Sequence, residues 1–283
     1  MQGHRADRMK TGLSIFAVAA LAGLILLACM YRSAVSDPVI RTFRYTPEDW
    51  PAAAAPMRLV LLTDAHVSGP DMPPARLSRI VGAINALKPD VVLLGGDFVS
   101  AAKTPREPYS VPAAIAPLRG LKVPSGVIAV MGNHDHWVDA TAVRREIARA
   151  GVTLLDNKAV RVGPLVIGGV DDAYTAHDDI KPVAREMTDL GGVPILLSHS
   201  PDPSTPPVIK LVLAGHTHCG QVSLPFLGPV VTMSRYGRRF ACGVSQANGQ
   251  RLIVSAGVGT SLLPLRLNAP PDIWVIEVGP PVK

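Results

Sequence analysis

Five times between residues 57 and 218, a short unbroken run of apolar residues stops abruptly in a polar cluster. "RLVLL" leads to Thr63-Asp64-Ala65-His66, and "DVVLL" to Gly95-Gly96-Asp97. "GVIAVM" is followed by Gly132-Asn133-His134-Asp135, "VPILL" by Ser198-His199-Ser200, and "IKLVLA" by Gly215-His216-Thr217-His218. Apolar runs without alternation belong to strands covered on both faces. In open α/β sheets, ligands bind outside the carboxyl ends of the strands. Five polar clusters at five such ends are therefore expected to converge on one site.

The segments between the runs supply the covering helices. Leu77, Ile80, Val81, Ile84 and Leu87 recur at helical spacing and complete a βαβ unit. A second helix is expected over 139–150, capped by Asp139 and stopped by Gly151. A third, over 179–190, places Val183, Met187 and Leu190 on one face and ends at Gly191. "GGVDDAYTAHDD" (168–179) is open between two readings. It borders the substrate through Asp171, Asp172 or His177, or it is a turn with solvated acids.

The N-terminus has a different character. Residues 11–31, "TGLSIFAVAALAGLILLACMY", carry no charge and are long enough to cross a bilayer as a helix. Arg5, Arg8 and Lys10 precede them, as expected of an end held inside, although Arg32, Arg41 and Arg44 follow. Leu26-Leu27-Ala28-Cys29 resembles a lipoprotein processing box, but the uncharged run exceeds a usual signal core, which favours an uncleaved anchor. The expected organisation is a basic segment (1–10), a transmembrane signal anchor (11–31), a Pro/Ala-rich linker (32–56) and a catalytic domain (57–283). Within the linker, "VIRTFRY" (39–45) alternates like an edge strand. The expected location is a bacterial inner (cytoplasmic) membrane, crossed once, with the domain on the periplasmic side.

Composition removes other classes. A net charge of +6 without a basic helix or an aromatic-rich basic strand gives no nucleic-acid module. Cys29, Cys219 and Cys242 show no C-x-x-C pairing, so neither a zinc ribbon nor a disulfide framework is expected. There is no Walker A loop, no Rossmann glycine fingerprint and no G-x-S-x-G elbow.

Together the clusters offer Asp64, His66, Asp97, Asn133, His199, His216 and His218. That set is too large for one tetrahedral zinc ion. It suits two divalent ions sharing a bridging carboxylate, a recurring device for in-line attack on phosphorus. A nitrogen and oxygen donor set without thiolate suits manganese, iron or zinc. Two divalent ions against two carboxylates and a hydroxide leave net positive charge, so the site favours an anion such as a phosphoryl group.

D-x-H, G-G-D, G-N-H-D, a lone histidine after a strand, and G-H-x-H, in that order, resemble the calcineurin-like metallophosphoesterases. "GVGTSLLPLRLNAPPDI" further resembles that family's membrane-anchored bacterial phosphodiesterase branch. The resemblance implies a four-layer α/β/β/α sandwich. It implies one ion held by Asp64, His66, Asp97 and His218, and a second by Asp97, Asn133, His199 and His216. His134 then serves the phosphoryl group or the leaving oxygen, with Asp135 orienting it from behind, while His136 is a surface residue. Cys219 departs from the glycine of many relatives and crowds the metal rim or alters its backbone without removing a ligand. Arg235 and Arg266 are candidates to grip a second phosphate or a sugar acid.

The function implied is hydrolysis of a phosphodiester or pyrophosphate, with a lipid-linked substrate as the natural form. A cytosol-facing pyrophosphohydrolase of the UDP-2,3-diacylglucosamine type is the alternative within the class. A non-catalytic interaction module is the alternative outside it, though such a module is expected to lose ligands that this chain retains.

Overall fold

The computed structural model of the chain describes residues 2–101, 108–201 and 205–281. Helix α1 (Gln2–Ala34) contains a 24-residue stretch, Thr11–Ala34, long and apolar enough to cross a membrane. It continues past the expected end at 31, and its last turn meets the folded body. Met30 and Ala34 are buried, and the Arg266 N–H donates to the Met30 carbonyl at 3.0 Å. The side chains of Arg5, Arg8 and Lys10 lie outside the described residues.

Strand β1 (Val39–Tyr45) then pairs in parallel with the last strand, β14 (Asp272–Val278), so that Val39 faces Asp272 and Tyr45 faces Val278. Arg41 Nε seals the pair with a 2.7 Å ion pair to Asp272. The connector expected over 32–56 thus contains an edge strand of the folded body.

Next come β2 (Met57–Leu62), α2 (Pro74–Ala86), β3 (Val91–Leu94), α3 (Val111–Ile115), β4 (Val127–Ala129), α4 (Asn133–Arg149) and β5 (Thr153–Leu154). The first sheet has the order β1-β14-β2-β3-β4-β5. The second half contributes β6 (Lys158–Val162), β7 (Leu165–Gly169), α5 (Ile180–Leu190), β8 (Val193–Leu197) and β9 (Leu211–Ala214). A small hairpin follows, β10 (Ser223–Leu224) with β11 (Gly228–Pro229), and then β12 (Gly243–Ala247) and β13 (Gln250–Val254). The second sheet runs β12-β13-β9-β8-β7-β6.

Alternation along β2 shows how the layers form. Leu59 and Leu61 enter a core shared with Ile167, Ile195, Leu213 and Ile253 of the second sheet. Val60 and Leu62 point the other way, onto Leu77, Ile80, Val81 and Ile84 of α2. On the outer face of the second sheet, Val166, Leu196 and Val212 meet Val183 and Met187 of α5. The result is the four-layer α/β/β/α sandwich. Each buried leucine, isoleucine or valine contributes about 1.5–3 kcal/mol.

The helix signals operate as read. Asp139 interrupts α4 with φ −170° and its carboxylate accepts from Ala142 N at 2.9 Å, so the expected second helix begins there. An additional turn precedes it, starting at Asn133. Asp179 caps α5 by accepting from Lys181 N at 3.1 Å.

Candidate metal centre

Strands β2, β3 and β4 run parallel, as do β8 and β9, and their carboxyl ends deliver the polar clusters to one place. Asp64, His66, Asp97, Asn133, His199, His216 and His218 are all buried. Five of these seven, Asp64, His66, Asp97, His216 and His218, lie in the left-handed region with φ between 44° and 68°. Side chains other than glycine rarely hold that conformation, and it gathers where a site over-determines the backbone. The turn that ends each strand is what aims its side chain inward.

The donors form two groups joined at Asp97. On one side, His66 Nε2 lies 3.0 Å from His218 Nε2 and 3.2 Å from Asp97 Oδ2. Asp64 Oδ1 completes that group, 3.9 Å from His66 Nε2 and 3.6 Å from His218 Nε2. On the other side, His199 Nε2 is 3.4 Å from the same Asp97 Oδ2, 3.1 Å from Asn133 Oδ1 and 3.2 Å from His216 Nδ1. Asp97 Oδ2 therefore faces both groups, the position a bridging carboxylate takes.

Hydrogen bonds outside the cluster orient its ligating atoms. His199 Nδ1 donates to the Gly95 carbonyl at 2.7 Å, leaving the Nε2 lone pair for the centre. His216 Nε2 points at the Met233 carbonyl at 3.3 Å, leaving Nδ1 inward. Several inward lone pairs this close repel unless a proton or cation lies among them. The donor chemistry thus fits divalent metal ions on both sides of Asp97.

Burial and charge act strongly on the same groups. Burial opposes ionisation of Asp97, but His199, His66 and His134 together hold its carboxyl well below the usual range. Burial pushes Asp64 up to about 6, helped by the charge of Asp97 and opposed by His199. Burial and neighbouring His199 push His216 down to about 4.

Glycine permits this density at two points. A β-carbon on Gly132 would strike Asp97 Oδ1 and stand 2.8 Å from His199 Cε1. One on Gly215 would strike Asp64 Oδ2 and stand 2.7 Å from Thr63 Oγ1. Each glycine lets one strand end pass directly beneath a carboxylate.

His134 is buried at the start of α4, its ring 4.5 Å from that of His66. Its Nδ1 accepts from Ala101 N at 3.0 Å, which places the ring proton on Nε2. A ligating atom of His134 also lies within 4.8 Å of ligating atoms of His66 and Asp97.

Asp135 is not behind His134. Its carboxylate accepts from the backbone amides of Asp97 (2.8 Å), Phe98 (2.9 Å), Val99 (3.3 Å) and Gly132 (3.0 Å). As the third helical residue, its short side chain reaches back to its own helix start and across to the β3 turn. It fastens the turn that carries Asp97 and so acts through another residue.

Other expectations change for equally local reasons. Arg266 is fully buried and donates to the carbonyls of Ala256, Gly257, Gly259 and Ala269, with His218 Nδ1 at 3.4 Å from its Nη2. It braces the loop beneath His218, and its guanidinium is committed there. Arg235 is exposed and lies over the Tyr236 ring at 5.6 Å. Cys219 is joined to Cys242 in a disulfide, which overturns the expectation of no such bridge. The spacing of 23 residues resembles no motif; the fold brings the two together. His136 is half-buried, 2.7 Å from Asp171 and stacked on His177 at 4.1 Å, rather than a surface residue. Asp171 and Asp172 are buried as well, the first paired also with Arg144, the second capping the amides of Tyr174 and Thr175.

Two aromatic residues went unread in the sequence. Trp137 lies 5.0 Å from His134 and Tyr174 lies 4.9 Å from His216, ring to ring, and both are exposed. They flank the centre from two elements. Trp137 directly follows the G-N-H-D-H run, the only sequence signal that could have marked it.

A protein with this sandwich and these five strand-end motifs is a metallophosphoesterase. The chain belongs to the calcineurin-like phosphoesterase family, whose sequence model matches residues 57–220. It is 32% identical over 236 residues to the uncharacterized metallophosphoesterase YkuE of Bacillus subtilis, covering 78% of each chain. It is 28% identical to the phosphodiesterase YaeI of Escherichia coli, covering 80% of this chain and 83% of the relative. A transmembrane protein with a metallophosphoesterase domain from Danio rerio is 29% identical, covering 92% of this chain but 60% of the relative.

Proposed function

We propose that the chain is a membrane-anchored phosphoester hydrolase that uses two divalent ions, manganese, iron or zinc, and acts on a phosphodiester or pyrophosphate. The observation that carries this reading is Asp97 Oδ2, placed 3.2 Å from His66 Nε2 and 3.4 Å from His199 Nε2. Asp64, His66, Asp97 and His218 hold one ion, and Asp97, Asn133, His199 and His216 the other. When bound, such ions activate water and neutralise phosphoryl charge.

The protein's own groups do the remainder. Asn133 completes its shell without cancelling positive charge, so the site keeps its preference for an anion. His134, held in one tautomer by the Ala101 amide, presents Nε2–H to the phosphoryl or leaving oxygen. Asp135 keeps the β3 turn in place by accepting its amides. Trp137 and Tyr174 offer apolar surface beside the centre for the organic part of the ester.

The anchor and the disulfide support an outward-facing domain on a bacterial inner membrane. Disulfides persist in oxidising compartments such as the periplasm and are rare in the cytosol. The Cys219–Cys242 bridge thus favours this reading over a cytosol-facing pyrophosphohydrolase. A lipid-linked phosphoester suits an enzyme tethered to its substrate's membrane.

The test is turnover of bis-nitrophenyl phosphate by the purified full chain, before and after chelation. Loss on chelation and return with manganese are expected. Full turnover by protein shown metal-free by elemental analysis would overturn the reading.

A further inference from the structure

Residues 221–239 and 262–268 form an apolar lip on the same end of the molecule as the end of the anchor helix. Phe226 sits at the tip of the β10–β11 hairpin, 109% exposed and in the left-handed region at φ 64°. No side chain among the described residues covers it. Leu224, Leu227, Val230, Val231 and Met233 are exposed around it, and Leu262 (63%) and Leu263 (53%) extend the patch from the neighbouring loop.

The patch is stitched to the anchor. Ser223 N donates to Leu267 O at 2.9 Å, and Gln221 Nε2 donates to Leu263 O at 2.7 Å. Asn268 Nδ2 returns a bond to Ser223 O at 2.9 Å, and Arg266 N donates to Met30 O at 3.0 Å. Hydrogen bonds therefore tie the hairpin, the 262–263 loop and the end of α1 into one framework. That framework lies at the carboxyl end of β2, because the first residue of β14 pairs beyond the Trp274–Leu61 match.

Charge is one-sided as well. No Asp or Glu occurs between residues 203 and 271, while Arg235, Arg238 and Arg239 are exposed there and Arg32 is exposed on the last turn of α1. Tyr31 and Tyr236 are exposed beside these arginines in sequence. Contiguous exposed apolar surface marks an interaction site. Apolar tips with basic and aromatic neighbours suit the boundary of an anionic bilayer.

We propose that this lip docks into the lipid leaflet at which α1 emerges, with anionic headgroups as its partner. The proposal rests on Thr11–Ala34 spanning that bilayer. Docking would hold the metal centre at the membrane surface, because the lip reaches the centre directly. Met233, within it, bonds His216 through its carbonyl at 3.3 Å, and Arg266 braces His218. Phosphoesters in the headgroup layer then meet the site without leaving the membrane.

The test uses the full chain with Cys29→Ser, reconstituted in nanodiscs of phosphatidylcholine with and without phosphatidylglycerol. Single probes sensitive to polarity are attached at Phe226→Cys, Leu227→Cys and Leu263→Cys, and at Ser125→Cys before β4, at the opposite end of the strands. The three lip probes are expected to shift to the blue and to be quenched by spin-labelled lipid, more strongly with phosphatidylglycerol. The Ser125 probe should remain open to aqueous iodide. Lip probes as open to iodide as the Ser125 probe would overturn the proposal. So would a blue shift that spin-labelled lipid does not quench and that accompanies two chains per disc, which would assign the lip to a second copy. Flotation of the unlabelled chain with vesicles tests the anchor separately. A chain that floats with its lip in water refutes the docking alone.

Discussion

The metal cradle and the apolar lip are joined at Cys219, yet they are opposite in construction. The cradle is buried, made of polar donor groups from five strand ends, and packed so tightly that Gly132 and Gly215 admit no β-carbon. The lip is exposed, without acids, and Gly228 at its hairpin has open space around it. Both use left-handed backbone at residues other than glycine, Asp97 in one and Phe226 in the other. In the cradle that strain aims ligands inward at each other. In the lip it turns a side chain outward. The same local device thus gathers donor atoms in one region and exposes an apolar side chain in the other.

Substitutions in the cradle should give the largest effects. Asp97→Ala removes the carboxylate oxygen that stands 3.2 Å from His66 Nε2 and 3.4 Å from His199 Nε2, so metal content should fall at both positions. Turnover should drop on the order of 10⁴-fold, as for residues acting as a unit. His134→Ala should retain metal and lose turnover by ~10²–10⁴-fold, as for a lost proton donor. Elemental analysis beside initial rates separates the two. Metal loss in His134→Ala equal to that in Asp97→Ala would make His134 a ligand and redraw the cradle.

The disulfide probes the seam between the regions. Cys219 directly follows His218, and Cys242 closes the segment that carries Met233 and Arg235. Cys219→Ser with Cys242→Ser should lower stability by about 2–4 kcal/mol, read from denaturant unfolding of the detergent-solubilised chain. Metal retained to the same degree at lower stability would show that the cradle holds its shape without the seam. Gly132→Ala should cost about 1–3 kcal/mol through overpacking and should also weaken metal binding. Gly228→Ala, with nothing near but φ at 74°, should cost about 1–2 kcal/mol through its backbone alone. It should leave metal affinity unchanged. A Gly132→Ala protein that binds metal normally would mean the strand ends have slack that the contacts deny.

Legibility in the sequence divides along the same line. Unbroken apolar runs marked β2, β3, β4, β8 and β9, and the polar clusters marked the side chains that meet around Asp97, because both signals are local in sequence. Asp139 could be read as a cap for the same reason. What depends on tertiary approach could not be read. Asp135 reaches its acceptor role only because the β3 turn passes over the start of α4. Arg266 looks like any surface arginine until the Ala256–Gly259 loop wraps it. The disulfide needs the chain to return after 23 residues, and the lip needs a hairpin stitched to a loop 42 residues later. Strand β1 was legible as an edge strand but not as a parallel partner of the last strand of the chain.

The smallest effect should come from the loop beside the cradle. His136 Nε2 meets Asp171 Oδ1 at 2.7 Å, and Arg144 Nη2 meets Asp171 Oδ2 at 2.9 Å. The hydrogen bond to Asp171 raises the His136 pKa above its usual value, against the opposing effect of burial. Burial opposes ionisation of Asp171, but His136, the Asp172 amide and Arg144 hold its carboxyl below the usual range. A raised imidazolium contributes stability that is complete below about pH 6.5 and is lost as pH rises through the folded pKa. A lowered carboxyl contributes stability above about pH 4 and loses it as pH falls through its own folded pKa. The pair should therefore stabilise most between those limits. Desolvation of both side chains offsets much of their attraction. His136→Asn should lower the melting temperature slightly at pH 5.5 and by less at pH 8.5, with turnover of a small ester almost unchanged. A loss at pH 8.5 equal to that at pH 5.5 would show that stacking on His177, rather than charge, is what His136 supplies to this loop.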